Sequence, residues 1–213
     1  MHIYLLELAS LMTIFAFVIV SPGADLAMVL RQSVVHGRRN AILSSIGIGT
    51  SLMLHVTYTI LGLGLIISQS VVLFNVVKWC GVAYLLYIGV TSLRAGKTDM
   101  GAATLAPEAD HKTQSASKAF LLGFAANALN PKPVFFFLSV FSTIVSIETP
   151  ALVKLGYGLV MATCLILWFV GVSFFLTTPR MRAAFSRASQ WIDRVSGLVF
   201  IGLGLKLATE KAG

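Results

Sequence analysis

The sequence predicts an all-α integral membrane protein of six transmembrane helices, built as two inverted three-helix repeats with helices 1 and 4 interrupted by proline. Three observations carry this prediction. Hydrophobic residues make up 57% of the 213 and charged residues only 11%. A soluble domain carries about 25% charged residues, so these few cannot cover a water-facing surface. The apolar residues fall into runs near the roughly 20-residue length that crosses a bilayer. The basic residues gather between those runs, as in cytoplasmic membrane loops.

The first run covers residues 3–30 and is broken at Ser21-Pro22-Gly23. No basic stretch precedes it and no Ala-x-Ala site follows its apolar part, so it reads as a retained span rather than a signal peptide. Runs two and three, 41–67 and 71–93, are separated by a few residues and form a tight antiparallel pair. Run four, 119–147, is broken at Asn130-Pro131-Lys132-Pro133. Runs five and six cover 152–176 and 191–208. The whole chain, 1–213, reads as a single membrane domain: a first half at 1–94, a linker at 95–117 and a second half at 118–213. The linker is polar, holds Pro107 and mixes Lys97, Asp99, Glu108, Asp110 and Lys112, which suits a flexible connection. His111 within it reads as solvated. In the basic segment 180–194, Met181, Phe185, Ala188 and Ile192 share one helical face. Both an interfacial helix and an ordinary positive-inside loop fit that pattern.

Segments 31–39, 94–118 and 180–194 hold 11 Lys and Arg, against 4 on the opposite side. This asymmetry places both termini outside, periplasmic in the inner membrane of a Gram-negative cell. Three spans per half give the halves opposite orientation, the arithmetic of an inverted repeat. Similarity between the halves is faint; the better sign is that each opens with a proline-interrupted helix.

Composition and motifs exclude several functions. The net charge of +8 belongs to loops between apolar runs and not to a nucleic-acid surface. Cys80 and Cys164 sit inside apolar runs and read as small buried hydrophobes, with no disulfide or metal spacing. The sequence has no Walker motif, no His-Glu-x-x-His, no Gly-x-Ser-x-Gly and no Cys/His cluster. No enzyme activity, cofactor or metal is therefore expected, and an ATP-driven pump is excluded for this chain alone.

A proline inside a helix removes one N–H and frees a carbonyl four residues earlier. In lipid that carbonyl needs another partner, so such breaks belong inside a bundle or beside a cavity. Pro22 with Gly23, and Pro131, are the primary candidates for a substrate site. Asp25 and Lys132 each lie within three residues of a break, and charge at the bilayer centre is costly. They can neutralise one another or bind the two ends of a zwitterion, and Asp25 is also a candidate proton carrier. The other readings are snorkelling for Lys132 and a helix cap for Asp25. Asn127 and Asn130 flank the second break, either to bond substrate or to repair open backbone. His55 reads as bonded to a neighbouring helix, and Glu7 as solvated at the outer end of the first helix. The many glycines, including the small-xxx-small pairs Ser45/Gly49 and Gly158/Ala162, read as packing devices. Trp79, Trp191, Tyr4 and Tyr157 suit interfacial aromatic belts.

Several ordered blocks resemble the LysE/RhtB family of amino-acid exporters (lysine exporter, homoserine/threonine resistance). Ser21-Pro22-Gly23-Ala24-Asp25 is similar to its Pro-Gly-Pro-Asn/Asp signature. Gly37-Arg38-Arg39 followed by Gly47-Ile48-Gly49 resembles its second block, and Gly81-Val82-Ala83-Tyr84-Leu85-Leu86-Tyr87-Ile88-Gly89 its third-helix pattern. Asn127 through Asn130-Pro131-Lys132, then Phe135-Phe136-Phe137, resembles the fourth-helix signature. Ser196-Gly197 and Gly202-Leu203-Gly204 resemble the last helix. Ala24 replaces the family's second proline, which implies a softer first break. The resemblance implies efflux of amino acids or related metabolites from the cytoplasm, driven by exchange for protons. The partners this implies are the lipid bilayer, a small zwitterionic substrate and protons, with room for a homo-oligomer. The competing readings are a cation exporter, which would want more membrane carboxylates or thiols, and a channel.

Overall fold

A computed structural model of the chain describes residues 2–69, 71–96, 114–146, 148–175 and 178–209. The expected flexible linker, with Pro107 and His111, lies almost entirely outside them. Among the described residues the chain forms eight α-helices and no strand. They are α1 (His2–Val20), α2 (Ala24–Val35), α3 (Arg38–Gln69), α4 (Val71–Arg94), α5 (Ala116–Ala128), α6 (Pro131–Thr143), α7 (Ala151–Phe175) and α8 (Pro179–Thr209). Among the described residues four segments are long and apolar enough to cross a membrane: His2–Val20, Arg38–Gly62, Asn75–Arg94 and Ala151–Phe175. Large apolar side chains such as Leu6, Leu61, Leu152 and Leu198 stand exposed around the bundle, as expected where lipid is the solvent.

Proline and glycine set most of the boundaries. Pro22 stops α1, because the residue before a proline is pushed out of the helical region. Pro131 and Pro179 are first residues of α6 and α8, where the missing N–H costs nothing. Gly37 joins α2 to α3 with φ +82°, a left-handed turn that favours glycine.

The two halves interlock instead of standing apart. α3 packs chiefly on α5 and α7, and α4 on α8. Small residues permit this. A side chain at Gly47 would strike the α5 backbone at Phe120 and Phe124, and one at Gly123 would strike Ser44 on α3. Ser44 Oγ donates to Ala119 O at 2.7 Å in the same contact. Gly49 and Gly158 make the α3–α7 contact, and Gly89 faces Gly197 between α4 and α8. Gly62, Gly156 and Gly202 meet nothing within 4 Å, so the packing role applies to only part of the set.

Four further expectations need correction. Glu7 is not solvated. It is 7% exposed and accepts from Ser146 N at 2.9 Å, Thr149 Oγ1 at 3.0 Å and Tyr157 Oη at 2.9 Å. This cluster ties α1 to the α6–α7 turn and removes Tyr157 from any interfacial belt. Cys80 is exposed and Cys164 only partly covered, because an apolar run facing lipid needs no cover from protein. The basic segment 180–194 is neither a separate interfacial helix nor a loop, since α8 runs unbroken through it into the last apolar stretch. The first break is not softened by Ala24: α1 ends at Val20 and α2 starts at Ala24, because Pro22 alone removes the needed N–H.

Candidate substrate site at two broken helices

Each proline leaves one identifiable carbonyl without its helical donor. Pro22 would have bonded Val18 O, and Pro131 would have bonded Asn127 O. Side chains from distant segments take those places. Lys132 Nζ donates to Val18 O at 3.4 Å. His55 Nε2 donates to Asn127 O at 3.2 Å, and Asn130 N reaches the same oxygen at 3.0 Å. A carbonyl only accepts, so the proton on His55 sits at Nε2; Nδ1 then accepts from Tyr58 Oη at 2.6 Å. The histidine expected to bond a neighbouring helix does so, on α5.

The breaks are also joined to one another. Asn127 Nδ2 donates to Asp25 Oδ2 at 2.8 Å, across 102 positions of sequence. Phe15 of α1 and Phe136 of α6 pack with ring centroids 6.0 Å apart. Between the breaks lies a cavity of about 50 Å³, lined by Ser21, Gly23, Asp25, Asn127, Asn130 and Lys132 on its polar side. Phe15, Phe136, Phe137 and Phe169 close the apolar side. That volume holds roughly three to five waters, at about 10–15 Å³ each.

The polar lining is divided by chemistry. Among the described residues Asp25 Oδ1 and Asn127 Oδ1 are buried acceptors without a partner, a rare condition in folded proteins. Asn127 is only 2% exposed. Lys132 supplies the cation, and its ammonium stands 5.3 Å from the Phe200 ring centroid. The N-cap of α2 is Gly23, which provides no side-chain cap, so the first-turn N–H groups of α2 are available as donors. α6, by contrast, is capped: Asn130 Oδ1 accepts from Lys132 N at 3.0 Å.

Of the residues picked from sequence, the structure gathers Gly23, Asp25, Asn127, Asn130 and Lys132 around one cavity. Pro22 and Pro131 create the breaks but do not line it, and Pro131 is exposed. Asp25 is not the cap of α2; it sits in the first turn, one residue inside. Lys132 does not snorkel, because its head turns inward to Val18.

One functional candidate escaped sequence reasoning. Asp193 on α8 is 6% exposed and accepts from Ser21 Oγ at 3.5 Å, at the first break. It acts electrostatically on Lys132, as Asp25 does. One turn on, Ser196 Oγ donates to Phe17 O at 2.9 Å, so α8 braces the end of α1. The signal was the spacing Ser189, Asp193, Ser196, Phe200, Leu203, Leu207, a single helical stripe that is wholly buried.

An all-helical chain with lipid-facing apolar sides and a polar cavity at two helix breaks has the build of a membrane translocator. The chain belongs to the LysE type translocator family, whose model matches residues 16–211. It is 30% identical over 193 residues to the threonine efflux protein of Salmonella typhi, covering 91% of this chain and 93% of that one. The threonine efflux protein of Escherichia coli K12 is 28% identical over the same length and coverage. The homoserine/homoserine lactone efflux protein of Salmonella typhimurium is 29% identical over 195 residues, covering 90% of each chain. No solved structure matches.

Proposed function

We propose that this protein is a secondary transporter that exports small zwitterionic amino acids, of the threonine and homoserine kind, from the bacterial cytoplasm in exchange for protons. The observation that carries the reading is the division of the cavity. Two unpartnered acceptors, Asp25 Oδ1 and Asn127 Oδ1, suit an ammonium group. Lys132 and the open first turn of α2 suit a carboxylate. Stripping water from both ends of a zwitterion is costly unless each meets such a partner. The relatives named for threonine and homoserine efflux agree in substrate class.

The cavity of about 50 Å³ has room for only a few waters, so a substrate of threonine's size is accommodated when the surrounding helices move. Substrate enters when the α2–α5 seam parts. Asp25 and Lys132 line the cavity, and a second carboxylate, Asp193, stands beside it against Ser21. A neutral zwitterion leaves that excess of negative charge uncorrected, whereas a proton on Asp25 or Asp193 corrects it. This imbalance supports proton exchange.

Six passes fit the helices as follows. α5 and α6 have 13 residues each, roughly 20 Å, and cross about 30 Å of hydrocarbon only together. α1 with α2 forms the matching broken element of the first half. α3 then corresponds to α7 and α4 to α8, and each of these pairs is in contact, as around a pseudo-two-fold axis. The basic asymmetry puts the Gly37 turn and the start of α8 in the cytoplasm and both termini outside.

Reconstituted protein should show saturable counterflow of labelled threonine or homoserine, and net efflux should accelerate with an inward proton gradient. Conduction without saturation or counterflow would replace the exporter with a channel. Saturable counterflow indifferent to pH would remove the proton and keep the rest.

A further inference from the structure

A second polar recess of about 570 Å³ lies at the other end of the α2–α5 seam. α2 and α5 run antiparallel: Asp25 meets Asn127 at one end, and Arg31, Gln32 and His36 face Gln114 and Lys118 across the recess at the other. Gln32 follows Asp25 by two helical turns, so the recess sits roughly 10 Å along the helix from the central cavity.

Among the described residues Gln32 Oε1, His36 Nδ1 and Gln114 Nε2 are buried and unpartnered. Gln32 is only 3% exposed, and its Nε2 has just a weak contact to Met28 Sδ at 4.0 Å. Buried polar groups normally find partners, so several orphans around one recess point to a ligand. The rim is fixed: Asn40 Nδ2 donates to Gln114 O at 3.3 Å, and Ser115 Oγ caps α5 by accepting from Lys118 N at 3.3 Å. The complement is zwitterionic, with Arg31, Lys118 and the Gln114 amide for an anionic group and Gln32 Oε1 for an ammonium.

We propose that this recess is a capture site that takes the amino acid from the cytoplasm before it passes along the α2–α5 seam to Asp25 and Lys132. The inference rests on the exporter reading above. A phosphatidylethanolamine headgroup offers the same pair of charges, so the bilayer must be varied in the test.

The test is uptake of labelled L-threonine and L-homoserine into inside-out vesicles, with reconstituted protein in phosphatidylcholine alone and with phosphatidylethanolamine added. Arg31→Ala with Lys118→Ala should raise the half-saturating concentration about three- to tenfold, the worth of one or two exposed charge contacts. The maximal rate at matched protein should stay unchanged. Gln32→Leu should raise it in the same direction, and exchanging the cations (Arg31→Lys, Lys118→Arg) should restore it. The shift should shrink at high salt and be the same in both bilayers. Unchanged half-saturation in both variants would overturn the capture site while leaving the exporter standing. A shift seen only with phosphatidylethanolamine would give the recess to lipid and also overturn it. No wild-type uptake of either compound would sink the exporter reading and this site with it.

Discussion

The two helix breaks start from the same chemistry and finish differently. Each proline strips one carbonyl of its donor. At the second break the repair is fuller: Asn127 O takes His55 Nε2 and Asn130 N, and Asn130 caps α6. At the first break the repair is thin. Among the described residues Val18 O has the 3.4 Å contact from Lys132, and Gly23, at the N-cap of α2, brings no side-chain cap. A finished break is scaffold, whereas an unfinished one keeps donors free for something that comes and goes. On the proposed reading, the backbone of the second break holds Asn127 and Lys132 in place, while the first break keeps the α2 amides free for the substrate.

The sharpest way to break this comparison is to keep each repair and remove the charge. Lys132→Gln retains an N–H donor for Val18 O and loses the ammonium. Export should fall at least about thirtyfold, since removing one member of a buried charge set costs roughly 2–5 kcal/mol. The protein should still reach the membrane and melt near the wild-type temperature. Asp25→Asn should lose net export similarly, while counterflow, which moves no net proton, survives. Wild-type export at matched expression in both variants would show that these charges are structural.

A smaller effect is expected at the second break, in stability and not in transport. His55→Leu leaves Asn127 O with one donor fewer in a buried setting, a loss of about 1–3 kcal/mol, visible as a lower melting temperature in detergent. His55→Gln should recover most of it. Export per folded molecule should remain near wild type for both. A collapse of export in stable His55→Gln would move the histidine from scaffold to site.

What the sequence revealed follows the same division. Pro22, Pro131, Asp25 and Lys132 were legible because a proline or a charge in an apolar run violates a rule that holds locally. Asn127 was legible too, but the pairings were not. Asn127 reaches Asp25 across 102 positions, and Ser21 reaches Asp193 across 172. No local pattern encodes such pairings. Glu7 was misread for the same reason, as its partners Thr149 and Tyr157 come from the other half. Asp193 was lost among the arginines of its segment, although its place on a buried stripe of α8 was available. The helices were visible through apolar length, but the continuity of α8 was not, because its basic first half looked like an end.

The smallest effect is the most discriminating, and it comes from finishing the unfinished break. Gly23 has an extended backbone, φ −176° and ψ −172°, which serine adopts readily. A Cβ there would meet Lys132 Nζ and Ser21 O at 3.9 Å, an ordinary contact, so Gly23→Ser fits without displacement. Its hydroxyl would accept from the first-turn N–H groups of α2, as N-cap serines do. Replacing a glycine cap in this way stabilises a helix by a few tenths of a kcal/mol, so the variant should melt at or slightly above the wild-type temperature. If the substrate carboxylate uses those same N–H groups, the new hydroxyl competes with it, and the half-saturating concentration for threonine counterflow should rise severalfold. Gly23→Ala has the same Cβ and no acceptor, so it should leave half-saturation nearly unchanged and thereby separate capping from crowding. Equal half-saturation in Gly23→Ser and wild type would mean that the α2 amides stay unused and that Lys132 alone holds the carboxylate. Both breaks would then be scaffold, and the contrast between them would reduce to a difference in repair.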